Sequence, residues 1–72
     1  MAAGESVYRV TEVIGTSRES WEAAARHAVE TAGRTVRDLR VAEVSKLDCT
    51  IENGKVTAFR ARLNISFKYG KE

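Results

Sequence analysis

The dipeptide Asn53-Gly54 lies between two long runs of alternating apolar and polar residues. The first run is LRVAEVSKLDCTIE (residues 39–52), and the second is KVTAFRARLNISFKY (residues 55–69). Asn-Gly favours a type I′ turn, in which both central residues have positive φ, and this turn joins antiparallel strands through a two-residue loop. The sequence therefore predicts a long β-hairpin at its carboxyl end.

One further strand and one helix are predicted before the hairpin. Residues 6–15, SVYRVTEVIG, alternate in polarity and are rich in β-forming residues. The helix is predicted over residues 18–36, with Thr16 or Ser17 as its N-cap. Its apolar stripe, predicted to pack in the core, comprises Trp21, Ala24, Ala25, Ala28, Ala32 and Val36. The expected fold is α+β with the order β-α-β-β, a three-stranded antiparallel sheet wrapping one helix. We expect residues 1–72 to form a single domain whose first five residues are a flexible tail.

Size and composition favour an assembly of several copies. A chain of 72 residues buries a modest core, and such domains usually need a disulfide, a metal or a partner for stability. With one cysteine and one histidine, an internal disulfide and a zinc cluster are both excluded. Fourteen-residue strands would also extend beyond a nineteen-residue helix, since they span roughly 45 Å against roughly 28 Å. The sequence therefore predicts that the chain is stabilised by forming an oligomer with copies of itself.

Charge and hydropathy argue against nucleic acid and membrane as partners of the chain. The net charge of +2 comes from scattered basic residues, which is not a nucleic-acid footprint. We expect no membrane partner, because no apolar run reaches the ~18 residues that a span requires. The absence of a signal sequence and the single free thiol favour a cytoplasmic location.

An uninterrupted register of the hairpin divides its side chains between two faces. The face predicted to meet the helix comprises Ala42, Val44, Phe59, Ala61, Leu63, Ile65 and Phe67. The other, mixed face comprises Val41, Glu43, Ser45, Leu47, Cys49, Arg60, Arg62, Asn64 and Ser66. On this face Glu43 would lie diagonal to Arg62, within reach of a cross-strand ion pair.

Three segments together resemble the dodecins, small proteins of order β-α-β-β that assemble into hollow dodecamers. These segments are YRVTEVIGTS, SWEAAARHAVETA and ENGKVTAFRARLNISFKY, which span residues 8–69 with gaps. The resemblance implies pockets for riboflavin or FMN between protomers, lined by a tryptophan of the second strand and a glutamine of the third. Those two positions fall on Val41 and Arg60. The possible supporting residues are Glu43, Ser45 and Arg62.

Both substitutions weaken the case for a flavin. Stacking of a flat ring on an aromatic side chain contributes about 1–3 kcal/mol, which valine cannot supply. Arginine in place of glutamine removes a hydrogen-bond acceptor and adds a permanent charge, although it can stack on a ring or clamp a phosphate. Arg60 is thus either part of an interface ion pair that closes the pocket or a clamp for an anionic ligand.

A branch of the family, the actinobacterial calcium dodecins, is similar in its SWE helix start, its RVA second strand and its SFK end. The members of this branch also lack the flavin tryptophan, and the resemblance implies calcium as a ligand. Carboxylates from several chains would have to supply the oxygens, and the candidates are Glu43, Asp48 and Glu52. The spacing of the sequence itself contains no local calcium loop.

The sequence contains no pairing of a nucleophile with a base, so we expect no enzyme. The predicted function is that of a non-enzymatic, cage-forming protein that binds or stores a small ligand, with flavin binding weakened or lost. Two alternatives stay open: storage of riboflavin or FMN, and a purely structural or calcium-binding assembly. The candidate cofactors are these flavins, riboflavin and FMN, and calcium.

Overall fold

The computed structural model describes residues 6–69, which form three strands and one helix. Strand β1 spans Tyr8–Ser17, helix α1 Trp21–Ala32, strand β2 Leu39–Glu52 and strand β3 Lys55–Lys68. The sheet order is β1-β3-β2, and β3 is antiparallel to both neighbours. The predicted β-α-β-β order and three-stranded antiparallel sheet are confirmed. The tail predicted for residues 1–5 lies outside the described residues.

The turn of the hairpin has the predicted geometry. Asn53 and Gly54 both have positive φ, 54° and 74°, as a type I′ turn requires. The strands on either side of it are fourteen residues each.

The helix is shorter than predicted, and its N-cap is neither Thr16 nor Ser17. Strand β1 continues to Ser17, which pairs with Phe59 of β3, so the chain is still extended where the helix was expected to begin. Ser20 has extended backbone angles, and its side chain accepts a hydrogen bond from the Ala23 N–H at 3.0 Å. This is the usual contact of an N-cap serine, and the helix begins at the next residue. It ends at Ala32 rather than Val36, with Gly33 as its C-cap.

The register of the hairpin is interrupted, contrary to the prediction. Val44 lies opposite Leu63, as expected, but Lys46 lies opposite Arg62, so one residue of β2, Ser45, has no counterpart on β3. Such a β-bulge reverses the face on which the following side chains lie. Further shifts occur between Leu39 and Val41 and between Thr50 and Ile51.

The shifted register between Ser45 and Ile51 moves two residues that were predicted on the mixed face. Leu47 lies opposite Ala61 and Cys49 lies opposite Phe59, so both share the helix side of the sheet. Asp48 takes the opposite side, where it lies across from Arg60.

The core is small and is formed where α1 crosses β1 and β3. Among residues 6–69, the buried hydrophobic side chains are Ala24, Ala28, Ala61, Leu63 and Ile65. Gly15 of β1 permits the close approach of the helix, because a Cβ atom at this position would lie 2.1 Å from the carbonyl oxygen of Ala24. The small residues of the helix therefore allow the helix to lie close to the sheet, although they bury little apolar area.

The hairpin projects well beyond the helix. The twelve-residue helix is about 18 Å long, whereas the described chain extends 56 Å along its longest axis. Its radius of gyration is 15.0 Å, against about 11 Å expected for a compact domain of this length. Ile51 and Val56, near the tip, are more than half exposed. In the described residues, no helix is long and apolar enough to cross a membrane.

Candidate functional site

The sheet face that points away from α1 carries the predicted pocket positions. We call it the open face. Because side chains alternate along a strand, this face holds the neighbours of the buried residues Ala61, Leu63 and Ile65. On β1 and β2 the cross-strand pairs assign it Tyr8, Val10, Glu12, Ile14, Thr16, Val41, Glu43, Lys46, Asp48 and Thr50. On β3 it holds Arg60, Arg62, Asn64, Ser66 and Lys68.

Arg60 is paired within its own chain. Its Nε donates to Asp48 Oδ1 at 2.7 Å, and its Nη2 donates to Asp48 Oδ2 at 2.9 Å. Two parallel hydrogen bonds of this kind form the most specific contact between a guanidinium and a carboxylate. The side chains are 37% and 50% exposed, so the pair remains open to solvent.

Each partner of this pair stabilises the charge of the other. The hydrogen bond from Arg60 holds the pKa of Asp48 below its ordinary value of 3.8. Partial desolvation opposes this effect, and the positive charges of Arg62 and Lys46 add to it. The Asp48 carboxylate in turn raises the pKa of Arg60. Both groups are charged at neutral pH, and their charges cancel locally.

The sequence had suggested a different acidic neighbour for the arginines of β3. Glu43 lies opposite Asn64, where the uninterrupted register also placed it, and the carboxylate that pairs with Arg60 is that of Asp48. Asp48 takes the place across from Arg60 because the register shifts between Thr50 and Ile51, where Thr57 of β3 has no counterpart, and it shifts back at Ser45. The Ser45 hydroxyl donates to the carbonyl oxygen of Arg62 at 3.2 Å, which supports the bulge.

Val41 lies far from Arg60 within one chain. It pairs with Ser66, whose hydroxyl donates to the Val41 carbonyl oxygen at 3.5 Å. Ser66 and Arg60 are six residues apart on β3, which corresponds to about 20 Å along a strand. A pocket that contains both positions therefore has to combine different copies of the chain. Val41 is 59% exposed and available for such a contact.

The three candidate metal ligands are spread along the hairpin. Glu43 lies near its middle, Asp48 is bound to Arg60, and Glu52 lies at the turn opposite Lys55. Within residues 6–69, no three His, Cys, Asp or Glu side chains come close enough to hold a metal ion. A calcium site built from these carboxylates would need more than one chain.

Trp21 was predicted in the helix core, but its side chain is 40% exposed. It lies at the first position of α1, where its indole N–H donates to the Asp48 carbonyl oxygen at 2.9 Å. Its ring meets that of Phe59 edge to face, with centroids 4.9 Å apart. Asp48 is thus contacted from both sides of the sheet. Helical spacing could not reveal this contact, because it depends on the register of the hairpin.

Comparisons with known proteins agree with this architecture. A family model described as Dodecin matches residues 7–70. The chain is similar to the calcium dodecin of Mycobacterium tuberculosis, with 48% identity over 88% of this chain and 89% of the relative. A solved structure of M. tuberculosis calcium dodecin, described as calcium chelating with a novel calcium-binding site, superposes with a TM-score of 0.79. That alignment has 44% identity and covers 93% of this chain and 96% of the other. The dodecin from Streptomyces coelicolor superposes with a TM-score of 0.87 at 36% identity, over 96% and 99% of the two chains.

Proposed function

The chain belongs to the dodecin family, and we propose that it is a non-enzymatic, cage-forming protein that binds a small ligand between its copies. The observation that carries this proposal is the shape of the single chain. Within residues 6–69, only five hydrophobic side chains are buried, while Val10, Ile14 and Val41 lie exposed on the open face. Large exposed apolar surfaces usually mark a contact with another protein. The family resemblance favours a hollow dodecamer of this chain.

Light scattering on the purified protein tests the assembly. Twelve copies of 8.0 kDa each give a particle of about 96 kDa. A monomer or dimer at micromolar concentration would contradict the proposal.

For the ligand, we propose a pocket on the open face in which flavin binding is weakened. Val41 offers no aromatic surface for a ring, and Arg60 is bound to Asp48 at the position of the family glutamine. The double substitution Val41→Trp with Arg60→Gln is expected to strengthen riboflavin binding tenfold or more, since one stacked ring contributes about 1–3 kcal/mol. Quenching of the flavin fluorescence measures this affinity.

A matched control is Val56→Trp, which places the same side chain at a similarly exposed valine near the hairpin tip. This variant is expected to leave the flavin affinity unchanged. If the double variant binds riboflavin no better than the parent does, the pocket lies elsewhere.

Calcium is the second candidate ligand, favoured by the 48% identity with the calcium dodecin of M. tuberculosis. Of the three candidate carboxylates, Glu43 suits this role best, because Asp48 is bound to Arg60 and Glu52 lies at the turn. Calcium is expected to raise the melting temperature of the assembly, as any ligand of the folded state does. Magnesium at the same concentration is the control, since it prefers a stricter geometry and retains its waters.

Glu43→Gln is expected to reduce the effect of calcium on the melting temperature. An equal shift in the variant and the parent would exclude Glu43 as a ligand. If neither calcium nor a flavin shifts the melting temperature, the purely structural assembly becomes the better interpretation.

A further inference from the structure

Asp48 is fixed in position by contacts from two other elements. Its backbone carbonyl accepts the indole N–H of Trp21, at the start of α1, on the helix side of the sheet. Its carboxylate accepts two hydrogen bonds from Arg60 of β3 on the open face. The direct cross-strand pairing of residues 48 and 60 holds the two backbones in register. The carboxylate is therefore preorganised against the guanidinium.

This arrangement changes what Arg60 can offer to a ligand. A guanidinium recognises a phosphate through two parallel N–H donors, and Asp48 already occupies such a pair on Nε and Nη2. An anion that approached these donors would also meet the negative charge of Asp48. The planar faces of the guanidinium and the carboxylate take no part in these hydrogen bonds and can still contact a flat ring.

We propose that Asp48 determines the class of ligand accepted beside Arg60: by neutralising this arginine, it makes the open-face pocket insensitive to a phosphate group and favours an uncharged planar ligand. This inference rests on the proposed function, because it assumes that a pocket between copies includes position 60. Asp48 acts through Arg60 and is a positioning residue, not itself a contact for the ring.

Riboflavin and FMN are the appropriate probes, since they share one ring system and differ by a phosphate. The full-length assembly is titrated with each flavin, and the measured quantity is the ratio of the two affinities. A merely structural defect would weaken both ligands alike and leave this ratio unchanged. The parent is expected to prefer neither flavin by more than about threefold, since a locally neutral pair exerts little attraction on a solvated phosphate.

Asp48→Asn is expected to shift the ratio about tenfold towards FMN, because the freed guanidinium can form charge-assisted hydrogen bonds with the phosphate. This preference should fall as the salt concentration rises. Addition of Arg60→Gln to this variant should return the ratio to that of the parent. The matched control is Glu12→Gln, which makes the same charge change on the same face about 13 Å further along the sheet.

The outcomes separate the inference from the proposed function. An unchanged ratio in Asp48→Asn, or an equal shift in Glu12→Gln, would overturn the inference while flavin binding itself stands. If Asp48→Asn does not assemble, Arg60→Gln alone decides: a loss of FMN preference of about tenfold would show that Arg60 already binds phosphate in the parent. The series is also measured in a Val41→Trp background. If neither flavin binds there, the flavin-type pocket of the proposed function fails, and the inference is overturned with it.

Discussion

Replacement of Gly15 by alanine is expected to destabilise the fold strongly, because the helix lies directly on this residue. The added Cβ would be 2.1 Å from the carbonyl oxygen of Ala24 and 2.8 Å from the Cβ of Ala28. Ordinary contacts at such a position are 3.4–4 Å, so the helix would have to move by about 1.3 Å. Since the obstructing atom belongs to the helix backbone, rotation of a side chain cannot relieve the clash.

The expected loss in the free energy of unfolding follows from the size of the core. Overpacking of a well-packed core usually costs 1–3 kcal/mol. Ala24 and Ala28 are two of the five buried hydrophobic side chains within residues 6–69, so a shift of the helix opens contacts throughout this core. We therefore expect Gly15→Ala to lower the free energy of unfolding by about 3 kcal/mol, at the upper end of that range.

Two other glycines provide matched controls for the same added methyl group. Gly33 has φ −66° and ψ −13°, and its Cβ would meet no atom closer than 3.4 Å. Gly33→Ala should stabilise the fold by about 0.4–1 kcal/mol, because alanine restricts the unfolded chain. Gly54 has open space around it but a φ of +74°, so Gly54→Ala should cost about 1–2 kcal/mol through backbone strain alone.

Urea denaturation followed by circular dichroism measures all three variants. The protein concentration is held constant, because the stability of an oligomer depends on it. A loss below 1 kcal/mol for Gly15→Ala, or an equal loss for Gly33→Ala, would show that the helix is not seated on Gly15 as described.

Two further predictions concern the residues around Asp48. Trp21→Phe removes the indole donor to the Asp48 carbonyl and should lower the free energy of unfolding by about 1 kcal/mol in urea denaturation; an unchanged stability would mean that this hydrogen bond contributes nothing. Asp48→Asn should be less stable than the parent at pH 7, and the difference should shrink as the pH falls below 3.8. The reason is that the lowered pKa of Asp48 gives stability that is present above the unfolded value and is lost on protonation of the folded state. A difference that stays constant from pH 7 to pH 3 would contradict this assignment.

The sequence predicts the hairpin well because its signals are local. Asn53-Gly54 determines the turn by its own backbone preferences, and alternation identifies the strands on either side. The start of the helix is less predictable, since Thr16, Ser17 and Ser20 are all residues suited to an N-cap. The choice of Ser20 depends on the pairing of Ser17 with Phe59, a contact between residues far apart in the sequence.

The candidate site is harder to predict, because it depends on an interruption of the register. In an uninterrupted hairpin Arg60 would lie opposite Leu47, and Asp48 would point towards the helix. Between the turn and Ser45 the register is shifted by one residue, because Thr57 of β3 has no counterpart on β2, and this shift gives Arg60 its carboxylate partner; the bulge at Ser45 restores the expected register from Val44 onwards. A signal for the interruption exists in the sequence. Ala42 and Val44 are followed by the apolar residues Leu47 and Cys49, so the alternation changes phase at Ser45.

Deletion of Ser45 tests whether this residue is the extra one. Because Val44 pairs with Leu63 and Lys46 with Arg62, the deletion should leave a regular ladder in which Asp48 still lies opposite Arg60. The expected loss in urea denaturation is about 1 kcal/mol, the value of the hydrogen bond from Ser45 to the Arg62 carbonyl. Deletion of Leu47 instead removes a residue from a regular stretch, so it should displace Asp48 from the open face and cost several times more. Equal losses for the two deletions would mean that Ser45 is not the extra residue of β2.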